Sequence, residues 1–228
     1  MKIAGIQRTT LVDYPGKIAS TIFTLGCNMR CPYCHNKQIS FDFAEPELLD
    51  TDDVIEIIKE RKNFIDGITI TGGEPTLQKD LLGFCRQIKE KFGLLIKLDT
   101  NGSLPMIVKR AIDEKLVDYI AMDLKTSFSR YRECLGIDGE IIYSSYKIIR
   151  DSGLDYELRM TCYPDFINTN SLSELLGFLN PTDKIFIQKC NVVNVDEQQV
   201  SYEDGQLGLF ENILEAKGFH SALVRGIA

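Results

Sequence analysis

The sequence predicts an α/β fold around a parallel sheet, either a curved, incomplete (β/α)6 barrel or an open doubly wound sheet. Three observations lead there. Six strand-like stretches alternate with helix-like ones between residues 20 and 218, and such alternation implies βαβ units with parallel pairing. The length of 228 residues suits one domain, since α/β barrels of roughly 200–250 residues routinely fold as one; residues 1–228 are expected to form it. Polar and special residues collect just after the strands, where α/β folds keep their chemistry.

In chain order, "DYPG" reads as a turn with Pro15 and Gly16 at its central positions. The first strand, Ser20–Leu25, runs into "GCNMRCPYC". A helix over Thr51–Arg61 is expected to start on Thr51 as N-cap, with Asp52 and Asp53 in its first turn. Strand Gly67–Thr71 leads to "TGGEPT", with Pro75 near a first helical position, and to a helix over Lys79–Lys91. Strand Leu95–Asp99 ends in "LDTNG" and precedes a helix over Leu104–Lys115. Strand Tyr119–Asp123 ends in "AMDLKTS", before a helix over Glu140–Asp151. Strand Tyr156–Thr161 leads to "MTCYPD" and a helix over Ser171–Leu179; strand Lys184–Gln188 leads to "QKCN". A last helix, Gln206 to Gly218, is closed by its glycine.

A net charge of −7 argues against broad binding to nucleic acid or anionic membranes. No apolar run reaches the ~18 residues of a membrane span, and the first residues lack the apolar core of a signal peptide. A cytoplasmic protein is expected, with neither nucleic acid nor membrane as partner. Disulfides are rare there, and seven cysteines is an odd number. Clustered thiols then read first as metal ligands or redox groups.

"CNMRCPYCHN", residues 27–36, holds three of the seven cysteines with spacing C-x3-C-x2-C. Buried reduced thiols are one reading. A zinc site of Cys27, Cys31, Cys34 and His35 is a second, although adjacent Cys34 and His35 make tetrahedral closure awkward. The third is a four-iron cluster on three thiolates. Such clusters normally take four cysteines; three leave one iron open, as a catalytic site needs.

C-x3-C-x2-C with an aromatic before the last cysteine resembles the signature of radical S-adenosylmethionine enzymes, matched here by Cys27, Cys31, Tyr33 and Cys34. The resemblance implies a partial (β/α)6 barrel, one [4Fe-4S] cluster on those three cysteines, and S-adenosylmethionine chelated to the open iron and cleaved reductively. "GGEP" lies 38 residues after Cys34 and resembles the family's "GGE" motif. There Gly72 and Gly73 would let backbone carbonyls approach the S-adenosylmethionine amino group and Glu74 would support the loop. "LDTNG", "DLK" and "CHN" resemble the glycyl-radical-enzyme activating branch, which assigns Asp99, Lys125 and Asn36 to S-adenosylmethionine. The pyruvate formate-lyase activators of that branch also bind a monovalent cation, whose ligands would fall on Asp99, Thr100, Met122 and Asp123.

The run "TTLVDYPGKIASTIFTLGCNMRCPYCHN" most resembles anaerobic ribonucleoside-triphosphate reductase activating proteins. That implies such a reductase, or another glycyl-radical enzyme, as partner and flavodoxin or ferredoxin as electron donor. A radical enzyme acting on a small molecule is the alternative within the class. Residues 37–71 contain no cysteine, so no second cluster is expected. Cys85, Cys134, Cys162 and Cys190 are scattered and read as structural thiols, and His220 as a surface or packing residue. "QKCNVVN" departs from those activators, which place a histidine after the sixth strand.

Overall fold

The computed structural model describes residues 1–41, 47–190, 192–193, 199–200, 204–219 and 223–225. The chain opens with β1 (Ile3–Thr10), β2 (Ala19–Thr24), α1 (Lys37–Ser40) and α2 (Thr51–Arg61). Then follow β3 (Gly67–Gly72), a 3₁₀ turn (Pro75–Leu77), α3 (Leu81–Phe92), β4 (Leu95–Thr100), α4 (Pro105–Asp113) and β5 (Tyr119–Asp123). A second 3₁₀ turn (Phe128–Arg130), α5 (Tyr131–Leu135), α6 (Gly139–Arg150), β6 (Asp155–Cys162), α7 (Thr169–Leu176) and β7 (Ile185–Lys189) complete the alternation. The last elements are a two-stranded pair, β8 (Val192–Val193) with β9 (Gln199–Val200), then α8 (Asp204–Ala216) and β10 (Leu223–Arg225).

One sheet runs in the order β1-β2-β3-β4-β5-β6-β7-β10. Strands β2 to β7 pair in parallel, each with its sequence successor, and are the partial (β/α)6 barrel. Ile68, Ile70, Ile96, Leu98, Ile120 and Met122 are buried, and the strands carry near-continuous apolar runs, as parallel strands covered on both faces do. The helices supply the outer cover: α2 buries Val54, Ile55 and Ile58, which is helical spacing.

All six expected strands are present, with ends shifted by at most one residue, and α2 lies where the sequence places it. The "YPG" turn forms: Lys17 N–H donates to Tyr14 O at 3.1 Å, and Gly16 has φ +68°. Gly218 (φ +84°) closes α8, with Phe219 N–H donating to Leu214 O at 2.9 Å. His220 lies outside the described residues.

Several findings differ from the sequence reading. The N-cap of α2 is Asp50, not Thr51: Asp50 is extended and its carboxylate accepts from Asp52 N–H at 2.7 Å. Strand β1 was not expected; it pairs antiparallel with β2 across two register irregularities, with Gln7, Arg8 and Thr9 exposed, so no clean alternation marks it. The sheet also gains β10, parallel to β7. Among the described residues the eight strands nevertheless do not close, because β1 and β10 stand at opposite edges.

Candidate active site

Behind β2 the chain turns through Gly26 (φ +91°) into the cysteine loop. The short α1, which sequence periodicity did not mark, returns to hold the start of that loop. Gly26 N–H donates to Ile39 O (2.7 Å) and Cys27 N–H to Ser40 O (2.9 Å). Gly72 and Gly73 meet the same stretch from β3. A Cβ on Gly72, which has φ +106°, would lie 2.5 Å from Thr24 N, and one on Gly73 would collide with Gly26 O. Gly73 N–H donates to Thr24 O and Glu74 N–H to Gly26 O, both at 2.8 Å. The two glycines therefore serve close packing of the β3 end against the cysteine loop. The Gly72 carbonyl accepts from Asn36 Nδ2 at 3.2 Å, so Asn36 ties the two motifs together.

Glu74 is fully buried and works as a bracket. It accepts from Thr76 N–H (3.1 Å), the Thr76 hydroxyl, Thr100 Oγ1 (2.7 Å) and Asn101 N–H (2.7 Å), joining the end of β3 to the end of β4. Burial pushes its carboxyl above the usual range, against these donors. Beyond Thr100, Asn101 Nδ2 donates to Asn28 Oδ1 (3.0 Å) and Asn28 Nδ2 to Ser103 Oγ (2.9 Å), pinning the cysteine loop to "DTNG".

The three cysteines share one cavity of about 240 Å³. Cys27 Sγ accepts from Met29 N–H at 3.4 Å and from Asn101 Nδ2 at 3.8 Å. Burial pushes the Cys27 thiol up to about 11 and raises that of Cys31. Lys125 offsets part of that rise at both thiols, and a coordinated metal deprotonates such thiols outright. Among the described residues no group of three or more His, Cys, Asp or Glu side chains is arranged around a single metal position. His35 is exposed at the cavity rim. A four-iron cube asks for three thiolates, one per iron, and three sulfurs on one loop, with N–H donors beside that of Cys27, fit that group.

Tyr33 is buried beside the cysteines, its ring 5.2 Å from that of Tyr163 and 5.5 Å from that of Phe166. The opposite wall is charged. Parallel register sets Asp123 beside Arg159, and Asp99 beside Ala121, two residues before Asp123. Arg159 bridges both carboxylates: Nε donates to Asp123 Oδ1 (2.8 Å) and an Nη to Asp99 Oδ2 (2.9 Å). Lys97 donates to Asp99 Oδ1 and Lys125 Nζ to Asp123 Oδ2 (2.9 Å). Burial alone would raise both carboxyls, but Arg159 together with Lys97 at Asp99, and with Lys125 at Asp123, outweighs it and holds them below the usual carboxylate range. Burial would lower Lys125 and Arg159, but the negative partners around them, Asp123 foremost and Asp99 beside Arg159, together outweigh it and raise both.

All seven residues read as cofactor contacts line this cavity: Tyr33, Asn36, Gly72, Gly73, Glu74, Asp99 and Lys125. The residues expected as cation ligands, Asp99, Thr100, Met122 and Asp123, stand at the paired ends of β4 and β5. Both carboxylates are engaged as above, Thr100 Oγ1 donates to Glu74 and accepts from Gly102 N–H (3.1 Å), and Met122 is fully buried. Sequence reasoning missed Lys97, Arg159, Asn28 and Ser103. Charged side chains inside "LIKLD" and "ELRMT" were the available signal. Cys85, Cys162 and Cys190 are buried and do not line the cavity; Cys134 is half-buried.

Comparison with known proteins agrees with this geometry. The Radical SAM superfamily profile matches residues 21–174. A Methanocaldococcus jannaschii protein described as a candidate glycyl-radical enzyme activating enzyme is 36% identical over 194 residues, 82% of this chain and 79% of that one. Pyruvate formate-lyase 1-activating enzyme of Escherichia coli is 26% identical over 186 residues, 77% of this chain and 73% of that one. The crystal structure of a radical SAM methyltransferase from Sphaerobacter thermophilus superposes with a TM-score of 0.70 at 16% identity, covering 93% of this chain and 67% of that one, and so shares the fold. The chain belongs to the radical S-adenosylmethionine superfamily and, within it, to the glycyl-radical enzyme activating enzymes, which work with a [4Fe-4S] cluster and S-adenosylmethionine.

Proposed function

We propose that this chain, acting as one domain in the cytoplasm, abstracts a hydrogen atom from a glycine of anaerobic ribonucleoside-triphosphate reductase and leaves a glycyl radical there. One observation supports the reading most: three thiols of one loop and a charged wall from β4, β5 and β6 open onto the same cavity at the strand ends. When bound, the cluster, reduced by flavodoxin or ferredoxin, supplies the electron that splits the sulfonium of S-adenosylmethionine. Cys27, Cys31 and Cys34 hold that cluster. Lys125 presents an ammonium to the S-adenosylmethionine carboxylate, and Asp99 offers a carboxylate to its amino group; such charge-assisted contacts suit both ends of an amino acid. Tyr33 and its aromatic neighbours exclude water from one side. Asn36, Gly72, Gly73 and Glu74 act indirectly, by fixing the loop against the ends of β3 and β4.

The test is anaerobic incubation of the reduced, cluster-loaded protein with S-adenosylmethionine and candidate glycyl-radical enzymes, read by electron paramagnetic resonance. A glycyl signal on the ribonucleotide reductase, absent from its Gly→Ala variant, is expected. A signal on a different glycyl-radical enzyme alone would reassign the partner. No signal on any of them, with S-adenosylmethionine cleaved in the presence of a small molecule, would move the activity to the small-molecule class.

A further inference from the structure

Asn101, the residue after β4, brings a side-chain amide against a cysteine sulfur. We propose that this amide, by donating an N–H to Cys27 Sγ, raises the reduction potential of the cluster that Cys27 helps to hold. The orientation of the amide is set by its partners. Asn101 Oδ1 accepts from the Ser103 backbone N–H at 2.9 Å, so Nδ2 faces Asn28 Oδ1 (3.0 Å) and Cys27 Sγ (3.8 Å). A flipped amide would set its oxygen against the Asn28 oxygen and point its N–H groups at the Ser103 donor. Nδ2 carries two hydrogens, one for each acceptor. The backbone is held too, since Asn101 N–H donates to the buried Glu74 carboxylate at 2.7 Å, and Asn101 itself is buried. The contact is therefore fixed from β3 and β4, not from the cysteine loop. Met29 N–H, the other donor to Cys27 Sγ (3.4 Å), comes with the loop itself. Reduction adds one electron to a cluster and breaks no bond. The added negative charge spreads onto the sulfurs, where N–H donors stabilise it and so raise the potential, more strongly in a site sheltered from water. Asn101 thereby eases electron uptake from flavodoxin or ferredoxin and lowers equally the driving force for passing that electron on. It acts through Cys27 and is a positioning residue.

The proposal rests on reading Cys27, Cys31 and Cys34 as the holders of a [4Fe-4S] cluster. The experiment is an anaerobic redox titration of the cluster-loaded protein without S-adenosylmethionine, followed by the electron paramagnetic resonance of the reduced cluster. Asn101→Ala should keep its iron and shift the one-electron equilibrium toward the oxidised form about three- to tenfold, a potential roughly 30–60 mV lower. Asn101→Asp keeps an acceptor for Ser103 N–H and puts an oxygen where the donor was; it should shift at least as far the same way. Ser103→Ala separates this role from loop packing. It removes the hydroxyl that ties Asn28 to the loop after β4 but keeps the backbone N–H that orients Asn101. It should lose stability and leave the redox equilibrium within about twofold. Full iron with an unshifted potential in Asn101→Ala, or an equal shift in Ser103→Ala, would overturn the proposal. If neither Asn101 variant keeps a cluster, the unaltered protein decides. Asparagine labelled with nitrogen-15 in its side chain should then couple to the reduced cluster in pulsed electron paramagnetic resonance, and no coupling would equally sink the idea. Failure of the unaltered protein to take up a four-iron cluster, by iron content and visible absorption, ends the reading of the cysteines themselves, a result distinct from a loaded cluster whose potential ignores Asn101.

Discussion

Asp99 and Arg159 stand 60 residues apart and meet only because β4, β5 and β6 are consecutive parallel neighbours. That is why the charged wall was half legible. Asp99 and Lys125 sit in motifs at strand ends, whereas Lys97 and Arg159 lie within strands where no local pattern names a partner. That the three cysteines share one cavity was legible, since they lie within eight consecutive residues. Cys27→Ala, Cys31→Ala and Cys34→Ala are each expected to lose the intact cluster while Cys85→Ala keeps full iron, measured by iron content and visible absorption. Asp99→Asn should keep the cluster but weaken S-adenosylmethionine about ten- to a hundredfold by calorimetry, as for a lost charge-assisted contact of roughly 1.5–3 kcal/mol. The depressed Asp99 and Asp123 carboxyls also fix a sign for pH. Unfolded, they titrate near about 3.9; their contribution to stability is complete above that value and is lost as pH falls through the lower folded values. Denaturant midpoints should therefore drop below about pH 4, and drop less steeply in Asp123→Asn.

At the level of elements, the six strands were readable because buried parallel strands are short apolar runs bounded by turn signals. β1 was not, being a bulged edge with an exposed middle. The start of α2 shows how narrowly a cap is defined: Asp50 and Thr51 are both good cap residues, and only the extended backbone of Asp50 decides. Asp50→Ala should cost about 1 kcal/mol, and Thr51→Ala clearly less, by urea unfolding. The "GG" pair was legible as a motif but not in its role, because its steric partner, the Thr24–Gly26 backbone, lies far away in sequence. Gly73→Ala pushes β3 off the cysteine loop. It should lower stability by roughly 1–3 kcal/mol, the range for overpacking, and loosen the cluster. Gly83→Ala is the contrast: it lies in α3 with nothing within 4 Å of the added Cβ. It should stabilise the protein by up to about 1 kcal/mol. Thermal melts and iron retention separate the two.

For the whole molecule, the decisive feature is an eight-stranded sheet that stays open. A glycine α-carbon belonging to another folded protein reaches a strand-end cavity only on a loop that swings out, and a closed eight-stranded barrel would admit little more than a small molecule. Here β1 and β10 form opposite edges, and the cysteines, the charged wall and Tyr33 line one shared cavity. The measurement that bears most directly on this account is isotope transfer. Anaerobic ribonucleotide reductase carrying α-deuterated glycine is incubated with the reduced protein and S-adenosylmethionine, and the 5′-deoxyadenosine formed is weighed by mass spectrometry. The account predicts one deuterium in 5′-deoxyadenosine, dependent on the partner and lost in Cys27→Ala. Unlabelled 5′-deoxyadenosine, formed at the same rate with and without the partner, would contradict it.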